Sequence, residues 1–162
     1  MTNNRISLSK GKFAIISECD YELVSQIEWH AKRDGRRYYA CGWVGPHESR
    51  KLVKLHRFIL NPPDDMEVDH INGNGLDCRR ENMRVCTKTQ NMRNRRKFKG
   101  VSRYKGVDWY GRSNKWRARI RVNGKLLHLG YFEEESAAAR AYDLAAIEHF
   151  GRFANLNFGG VK

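Results

Sequence analysis

Hydrophobic and polar side chains recur with a strand-like or a helix-like period along most of the chain, and the period predicts the elements. Among the first sixty residues, an Asp34-Gly35 pair between two apolar-rich segments indicates a β-hairpin. Asn61-Pro62-Pro63 ends the last element of this region. The pattern predicts a strand at 12–17, a helix at 18–27, strands at 29–32 and 37–44, and a strand that runs into a short helix at 51–60.

Residues 66–96 predict a strand, a loop, a second strand and a helix. The first strand ends near Asp69-His70, and a run rich in glycine and asparagine follows as a loop. Residues 82–86 predict the second strand. Thr87 is suited to cap a helix over residues 88–96. Such a unit can bring the end of its first strand against the first turns of its helix.

Residues 104–158 predict a three-stranded sheet covered by one helix. In residues 115–122 (KWRARIRV) apolar side chains alternate with arginines, so one face of this strand is apolar and the other cationic. An Asn123-Gly124 turn joins it to a strand at 125–131, and residues 104–109 supply the first strand. The helix spans residues 133–150 and ends at Gly151. Its stripe of mostly small residues predicts a close-packed face: Ala138, Ala141, Tyr142, Ala145 and Ala146.

Together the elements predict an α+β fold with two modules. Residues 1–96 hold a β-rich N-terminal segment that leads into the strand–strand–helix unit. Residues 97–103 form a basic linker. Residues 104–158 form the separate three-stranded antiparallel sheet packed on one helix.

Charge points to a polyanionic partner. The chain carries 31 Lys and Arg against 18 Asp and Glu, a net charge of +13, and such an excess repels itself unless a polyanion balances it. Nucleic acid, an anionic membrane and a solvated basic surface without a partner are the alternatives. No apolar run is long enough to span a bilayer and no signal-like segment follows the N-terminus, so we expect a cytoplasmic protein of a bacterial host or phage-infected cell. The four cysteines form no C-x-x-C pair, which argues against structural zinc.

The candidate chemistry lies around Asp69 and His70. Phosphodiester hydrolysis needs an activated water and a Lewis acid for the developing charge. His70 can act as general base because the ordinary pKa of histidine lies near neutrality. A carboxylate from Asp69 and an amide oxygen from Asn91 are hard donors suited to one Mg²⁺ or Mn²⁺ ion.

The segment VDHINGN…RRENMRVCTKTQNMRNRR resembles the HNH nuclease motif, in the variant whose last histidine is asparagine. His70, Asn82 and Asn91 are spaced as in phage and intron-encoded homing endonucleases of that group. The resemblance implies a ββα-metal unit. It also implies that Asp69 and Asn91 bind the metal, that His70 is the general base, and that Asn82 holds the loop and the His70 ring in place.

The segments YKGV, KWRARI, LGYF and AAARAYDLAAIEHFGRFANLNF resemble the AP2/ERF DNA-binding domain over almost all of residues 104–158. The resemblance implies that the sheet docks in the DNA major groove, where arginine reads guanine. Asp108 stands where an arginine is common and His128 where a tryptophan is usual, so the base preference is not carried over. The predicted DNA-binding residues are Lys105, Arg117, Arg119 and Arg121 from this module, and Arg93, Arg95 and Arg96 from the basic stretch before it.

The sequence therefore predicts a site-specific, homing-type endonuclease that cleaves double-stranded DNA with one metal ion and a histidine base, as a monomer or homodimer. A sequence-specific DNA-binding regulator with a vestigial nuclease half is the alternative. A membrane-bound role fits less well because the helical stripe is alanine-rich. RNA fits less well because its major groove is too narrow to read.

Overall fold

The computed structural model describes residues 4–94 and 100–159. The chain divides into two compact units, Met1–Lys88 and Thr89–Lys162. This division falls ahead of the predicted module boundary at residue 96. The physical reason lies inside the second unit: Asn155 Nδ2 donates to the carbonyl of Asn94 at 2.7 Å, and the Arg93 guanidinium lies 4.6 Å from the centre of the Phe150 ring.

The described residues of the first unit form three small sheets and two short helices. The elements are β1 (Arg5–Leu8), β2 (Lys12–Ile16), α1 (Tyr21–Ser25), β3 (Trp29–Asp34), β4 (Arg37–Val44), β5 (Lys51–Lys54), α2 (Leu55–Leu60), β6 (Glu67–His70), β7 (Asp77–Cys78) and β8 (Met83–Cys86). Strand β2 lies between β1 and β7, β4 lies between β3 and β5, and β6 pairs with β8. A parallel pairing of β7 with β2 ties the loop after β6 to the N-terminal hairpin.

Most of the elements predicted in this unit are present, with shifted ends. The hairpin at Asp34-Gly35 is confirmed as β3 and β4, and the segment 51–60 is a strand that runs into a helix. The helix predicted at 18–27 is shorter, because residues 18–20 form a 3₁₀ turn and α1 covers only Tyr21–Ser25. The apolar faces of the hairpins and of both helices meet in one core that includes Ile16, Val24 and Leu55.

The second unit packs a helix on one face of a three-stranded antiparallel sheet, as predicted. It contains most of α3 (Lys88–Arg93), then β9 (Val107–Tyr110), β10 (Lys115–Val122), β11 (Lys125–Phe132) and α4 (Glu135–Phe150). Strand β10 is central, and Ala118 and Ile120 on its apolar face are buried with Ala138, Ala139 and Ala146 of α4. Small side chains on α4 therefore allow the helix to lie close to the sheet.

Two predicted boundaries in this unit are wrong. The strand predicted at 104–109 begins at Val107, because Gly106 has φ +77 and lies against the Tyr142 ring, where a Cβ atom would come within 1.9 Å of Cδ2. The helix predicted to reach residue 96 ends at Arg93. Lys105 is thus placed before the sheet rather than in it.

The four cysteines are free thiols, and three of them are buried: Cys41, Cys78 and Cys86. In the described part of the chain, none of the helices has the length and apolar character needed to cross a bilayer.

Candidate functional site

The candidate active site starts at the end of β6, where Asp69 and His70 are consecutive. Strands β6 and β8 pair in antiparallel register, so that Asp69 lies opposite Arg84 and His70 opposite Met83. Consecutive residues of a strand point to opposite sides. The aspartate and the histidine therefore meet different neighbours.

The His70 ring packs among aromatic and sulfur-containing side chains of the first unit. Its centroid lies 4.9 Å from that of His56 on α2 and 6.0 Å from that of Tyr39 on β4. Its Nε2 atom lies 3.8 Å from Sγ of Cys78. His70 is 5% exposed, so this pocket leaves it little contact with water.

Burial changes the acidity of both histidines. It lowers the pKa of His70 to about 4, although the charges of Asp69 and Asp77 act in the opposite direction. Burial and the neighbouring His70 lower the pKa of His56 to about 3. The expectation that His70 titrates near neutrality is therefore wrong for this structure, because a desolvated imidazole disfavours its charged form. At pH 7 the His70 ring is neutral and can accept a proton.

Asp69 forms an ion pair that the sequence analysis missed. Arg84 Nη2 and Nε donate to Oδ2 of Asp69 at 2.6 and 2.9 Å. The side chains are 4% exposed for Asp69 and 11% for Arg84. The antiparallel pairing of two short strands was the available signal, because it places these two residues opposite each other.

Asn82 holds together the loop between β6 and β8. Its Nδ2 donates to the carbonyl of Asp77 at 2.7 Å and to Oδ1 of Asn72 at 3.1 Å. Its Oδ1 accepts from the backbone N–H of Asn72 at 3.0 Å, and its carbonyl accepts from the N–H of Ile71 at 2.8 Å. These bonds fix both ends of the loop that follows His70. The predicted role of Asn82 in catalysis stays a prediction.

The loop itself is closed by further polar contacts that only its fold reveals. Asn72 Nδ2 donates to Oδ2 of Asp77 at 2.8 Å, and Oδ1 of Asn72 accepts from the N–H of Asn74 at 2.8 Å. Arg79 donates to both carboxylate oxygens of Asp77 at 2.8 Å. These hydrogen bonds and the charge of Arg79 outweigh burial and lower the pKa of Asp77. The turn-rich sequence is therefore a rigid loop.

The predicted metal ligands belong to different units. Asp69 lies in the first unit, whereas Asn91 lies on α3 in the second, so their convergence on one ion stays a prediction. The donor chemistry fits a hard divalent cation, because Asp69 supplies carboxylate oxygens at a strand end and Asn91 an amide oxygen. Within residues 4–94 and 100–159, no group of three or more His, Cys, Asp or Glu side chains could hold a metal ion.

The candidate DNA-binding face is the polar side of the second unit's sheet. Arg117 and Arg119 of β10 both pair with Asp108 of β9, at 2.7 and 3.0 Å. Arg121 is exposed, and its Nη1 donates to the carbonyl of Gly124 at 2.9 Å. The predicted alternation of arginines against an apolar face is thus present, and Asp108 neutralises part of the arginine row.

The remaining predicted DNA-binding residues lie around this sheet or outside the described residues. Lys105 Nζ donates to the carbonyl of Arg93, and burial lowers the pKa of Lys105 to about 8. Arg93 packs over Phe150. Arg95 and Arg96 lie outside the described residues. The contacts of these four side chains with DNA stay predictions.

Comparison with known proteins supports both modules. The family described as HNH endonuclease matches residues 61–93, and the AP2 domain matches residues 102–152. A mimivirus protein (Acanthamoeba polyphaga mimivirus), named as an uncharacterized HNH endonuclease, is 32% identical over 154 residues, which covers 91% of this chain and 76% of the relative.

Two plant relatives each match just over a third of the chain. APETALA2-like protein 2 of Oryza sativa subsp. indica is 47% identical over 57 residues, 35% of this chain and 13% of the relative. An ethylene-responsive transcription factor of Arabidopsis thaliana is 48% identical over 62 residues, 37% of this chain and 14% of the relative. The chain thus spans only a small part of these plant proteins. By the length and identity of the viral match, together with the motif at residues 61–93, the chain belongs to the HNH endonuclease family and is a DNA-cleaving hydrolase with a C-terminal AP2 domain.

Proposed function

We propose that the chain is a site-directed, homing-type endonuclease that uses His70 as general base and one divalent ion per site. The observation that carries the proposal is the Asp69-His70 pair at the end of β6, followed by a loop that Asn82 fixes at both ends. A rigid loop keeps the base in one position, and accurate positioning of a reacting group is a large part of catalysis.

The metal requirement is general for the family, since HNH endonucleases generally use a divalent metal ion. Asp69 and Asn91 would hold it, and their oxygen donors favour Mg²⁺ or Mn²⁺. When bound, the ion supplies electrostatic stabilisation of the charge that develops at the scissile phosphate. Arg84 already pairs with Asp69 at 2.6 Å, so Asp69 would hold the ion with a carboxylate that also accepts from a guanidinium.

His70 has the protonation state that a general base needs. Its pKa of about 4 keeps the ring neutral at pH 7, so that it can take a proton from the attacking water. A base of such low pKa is weak. A phosphodiester anion beside the ring would favour the imidazolium and raise this pKa, whereas a divalent ion held by Asp69 would lower it.

The arginine-bearing sheet supports the targeting half of the proposal. One face of β10 is buried against α4 and the other presents three guanidiniums. Guanidinium groups can pair in a bidentate manner with guanine in the major groove, which is worth about 1–3 kcal/mol of discrimination per pair. One catalytic site per chain supports nicking by a monomer or double-strand cleavage by a homodimer.

The test uses supercoiled plasmid incubated with the full chain in Mg²⁺, in Mn²⁺ and in EDTA. His70→Ala removes the base. Glu148→Gln, on the exposed surface of α4, is the control because it changes one charge outside the proposed catalytic and DNA-binding residues. We expect the wild type to nick the plasmid in Mg²⁺ or Mn²⁺ and not in EDTA. The nicking rate should fall at least about a hundredfold for His70→Ala and stay unchanged for Glu148→Gln. Nicking that survives both EDTA and His70→Ala would contradict the mechanism.

A second candidate is a sequence-specific DNA-binding regulator with an inactive nuclease half. Two observations favour it: Arg84 occupies the Asp69 carboxylate, and the His70 ring is buried. This candidate predicts tight binding of DNA with no cleavage in either metal, and identical behaviour of the wild type and His70→Ala. The plasmid assay separates the two functions.

A further inference from the structure

We infer that Asp108 is a specificity-determining residue of the DNA-binding sheet: its carboxylate holds the guanidiniums of Arg117 and Arg119 in position for bases and weakens their attraction to phosphate. The inference rests on the proposed targeting role of the sheet.

The register of the sheet creates the contact. Asp108 on β9 lies directly opposite Arg117 on β10. Arg117 donates to Asp108 through Nη2 to Oδ2 at 2.7 Å and through Nε to Oδ1 at 3.5 Å. Arg119 Nε donates to Oδ1 at 3.2 Å, and its Nη2 lies 3.0 Å from the same oxygen. The carboxylate thus joins two arginines of the same face.

Arg117 is also held from its ring side. Its guanidinium lies 4.7 Å from the centre of the Tyr110 ring, and that ring lies 5.1 Å from the ring of Tyr131 on β11. Arginine loses considerable side-chain freedom when it is fixed in a complex. Because Asp108 and Tyr110 already restrict this side chain, less freedom remains to be lost on binding DNA.

The carboxylate also changes what the two arginines attract. Burial raises the pKa of Asp108, but hydrogen bonds and charges from Arg117 and Arg119 outweigh it and hold the pKa below its ordinary value, so the group is ionised at neutral pH. Two guanidiniums and one carboxylate leave a net charge of +1 rather than +2. A phosphate near the carboxylate is repelled, whereas the neutral O6 and N7 acceptors of guanine are not.

Donors remain on these arginines for a base. A guanidinium has five N–H donors, and Asp108 engages only some of them. The side chains are 21% exposed for Arg117 and 34% for Arg119, so part of each faces solvent on the open side of the sheet.

Arg121 provides an internal comparison on the same strand. It is bound to the carbonyl of Gly124 in its own turn rather than to a carboxylate, so its full positive charge is available to phosphate. We expect Arg121→Gln to lower the affinity for every duplex by the same factor. Asp108→Asn should instead change mainly the ratio of the affinities for different duplexes.

The experiment measures binding of the full chain in EDTA, so that cleavage does not interfere. A duplex recovered by selection from a random-sequence pool is compared with a scrambled duplex of the same composition, over a series of salt concentrations. Asp108→Asn removes the carboxylate charge with little change in size, and Glu148→Gln removes one acidic charge from the exposed surface of α4. Circular dichroism checks that each variant is folded.

For Asp108→Asn we expect tighter binding of the scrambled duplex and a dependence of affinity on salt that is steeper by about one phosphate contact. The ratio of the affinity for the selected duplex to that for the scrambled duplex should fall by about tenfold. For Glu148→Gln the ratio stays unchanged. An Asp108→Asn variant that changes both affinities by the same factor as Glu148→Gln overturns the inference.

A second variant separates geometry from charge. Asp108→Glu keeps the negative charge but moves the carboxylate, so we expect reduced discrimination with an unchanged salt dependence. Unchanged discrimination in a folded Asp108→Glu variant also overturns the inference. If the wild-type chain enriches no sequence from the pool, the proposed targeting function itself fails. If the wild type prefers the selected duplex and the Asp108 variants keep that preference, only the role of Asp108 is refuted.

Discussion

Breaking the ion pair between Asp69 and Arg84 should destabilise the first unit strongly. The two side chains are 4% and 11% exposed and are joined by hydrogen bonds of 2.6 and 2.9 Å. Arg84→Met keeps most of the side-chain volume but removes the guanidinium that pairs with the buried Asp69 carboxylate. Removal of one partner of such a pair costs about 3–5 kcal/mol, and we expect a loss of that size.

Amide hydrogen exchange read by mass spectrometry suits this prediction, because it reports β6 and β8 separately from the second unit. Lys115→Met is the matched control, since Lys115 pairs with Glu133 at 2.9 Å while their side chains are 42% and 77% exposed. Exposed pairs contribute about 0–1 kcal/mol. The double variant Asp69→Asn with Arg84→Met should recover part of the stability lost in Arg84→Met.

The same variant tests the metal role of Asp69. A carboxylate without its arginine attracts a divalent ion more strongly, so Mn²⁺ should protect β6 and β8 from exchange more in Arg84→Met than in the wild type. A cost for Arg84→Met no larger than that of Lys115→Met, together with no additional protection by Mn²⁺, would refute this reasoning.

Three further predictions concern acidity, loop structure and packing. An imidazole in the unfolded chain has a pKa of about 6.5, whereas folding lowers the pKa of His56 to about 3 and that of His70 to about 4. The stability that these two groups contribute is therefore present above pH 6.5 and is lost as the pH falls, because the unfolded chain then binds more protons. The free energy of unfolding, measured in urea, should decrease by about 2 kcal/mol per histidine between pH 7 and pH 5, and His56→Gln should halve the decrease. Asn82→Ala removes the hydrogen bonds of Asn82 with the buried Asp77 carbonyl and with the Asn72 N–H. It should lower the free energy of unfolding in urea by about 1–3 kcal/mol and abolish most plasmid nicking, whereas retained nicking would remove Asn82 from the mechanism. Gly106→Ala should destabilise the second unit by about 2–5 kcal/mol, measured by amide hydrogen exchange, because the added Cβ atom would clash with the Tyr142 ring and residue 106 has a φ of +77. An unchanged exchange rate in α4 would contradict the packing described.

Local patterns in the sequence were sufficient for most of the second unit. The alternation in residues 115–122 and the Asn123-Gly124 turn predict β10 and its partner, since both signals involve neighbouring residues. The start of β9 was misplaced because Gly106 adopts its conformation against Tyr142, which is distant in sequence. Contacts of this kind have no local signature.

The same distinction explains the active site. The Asp69-His70 pair and the loop residue Asn82 could be identified from motif spacing. The burial of His70 could not, because it arises from His56 on α2 and Tyr39 on β4. The two-residue strand β7 was also missed, since its parallel partner is β2, far earlier in the chain. Tertiary packing therefore determines the acidity of His70, the proposed base, while the motif determines its position in the chain.

A titration of Mn²⁺ followed by electron paramagnetic resonance tests the central claim most directly, since it counts ions bound to the full chain in the presence of a DNA duplex. The wild type should bind one ion per chain at a site that Asp69→Asn and Asn91→Ala each remove, while Glu148→Gln keeps it. Retention of the full site in both Asp69→Asn and Asn91→Ala would show that these two oxygen donors do not share a metal ion, and the proposed catalytic arrangement would then be wrong.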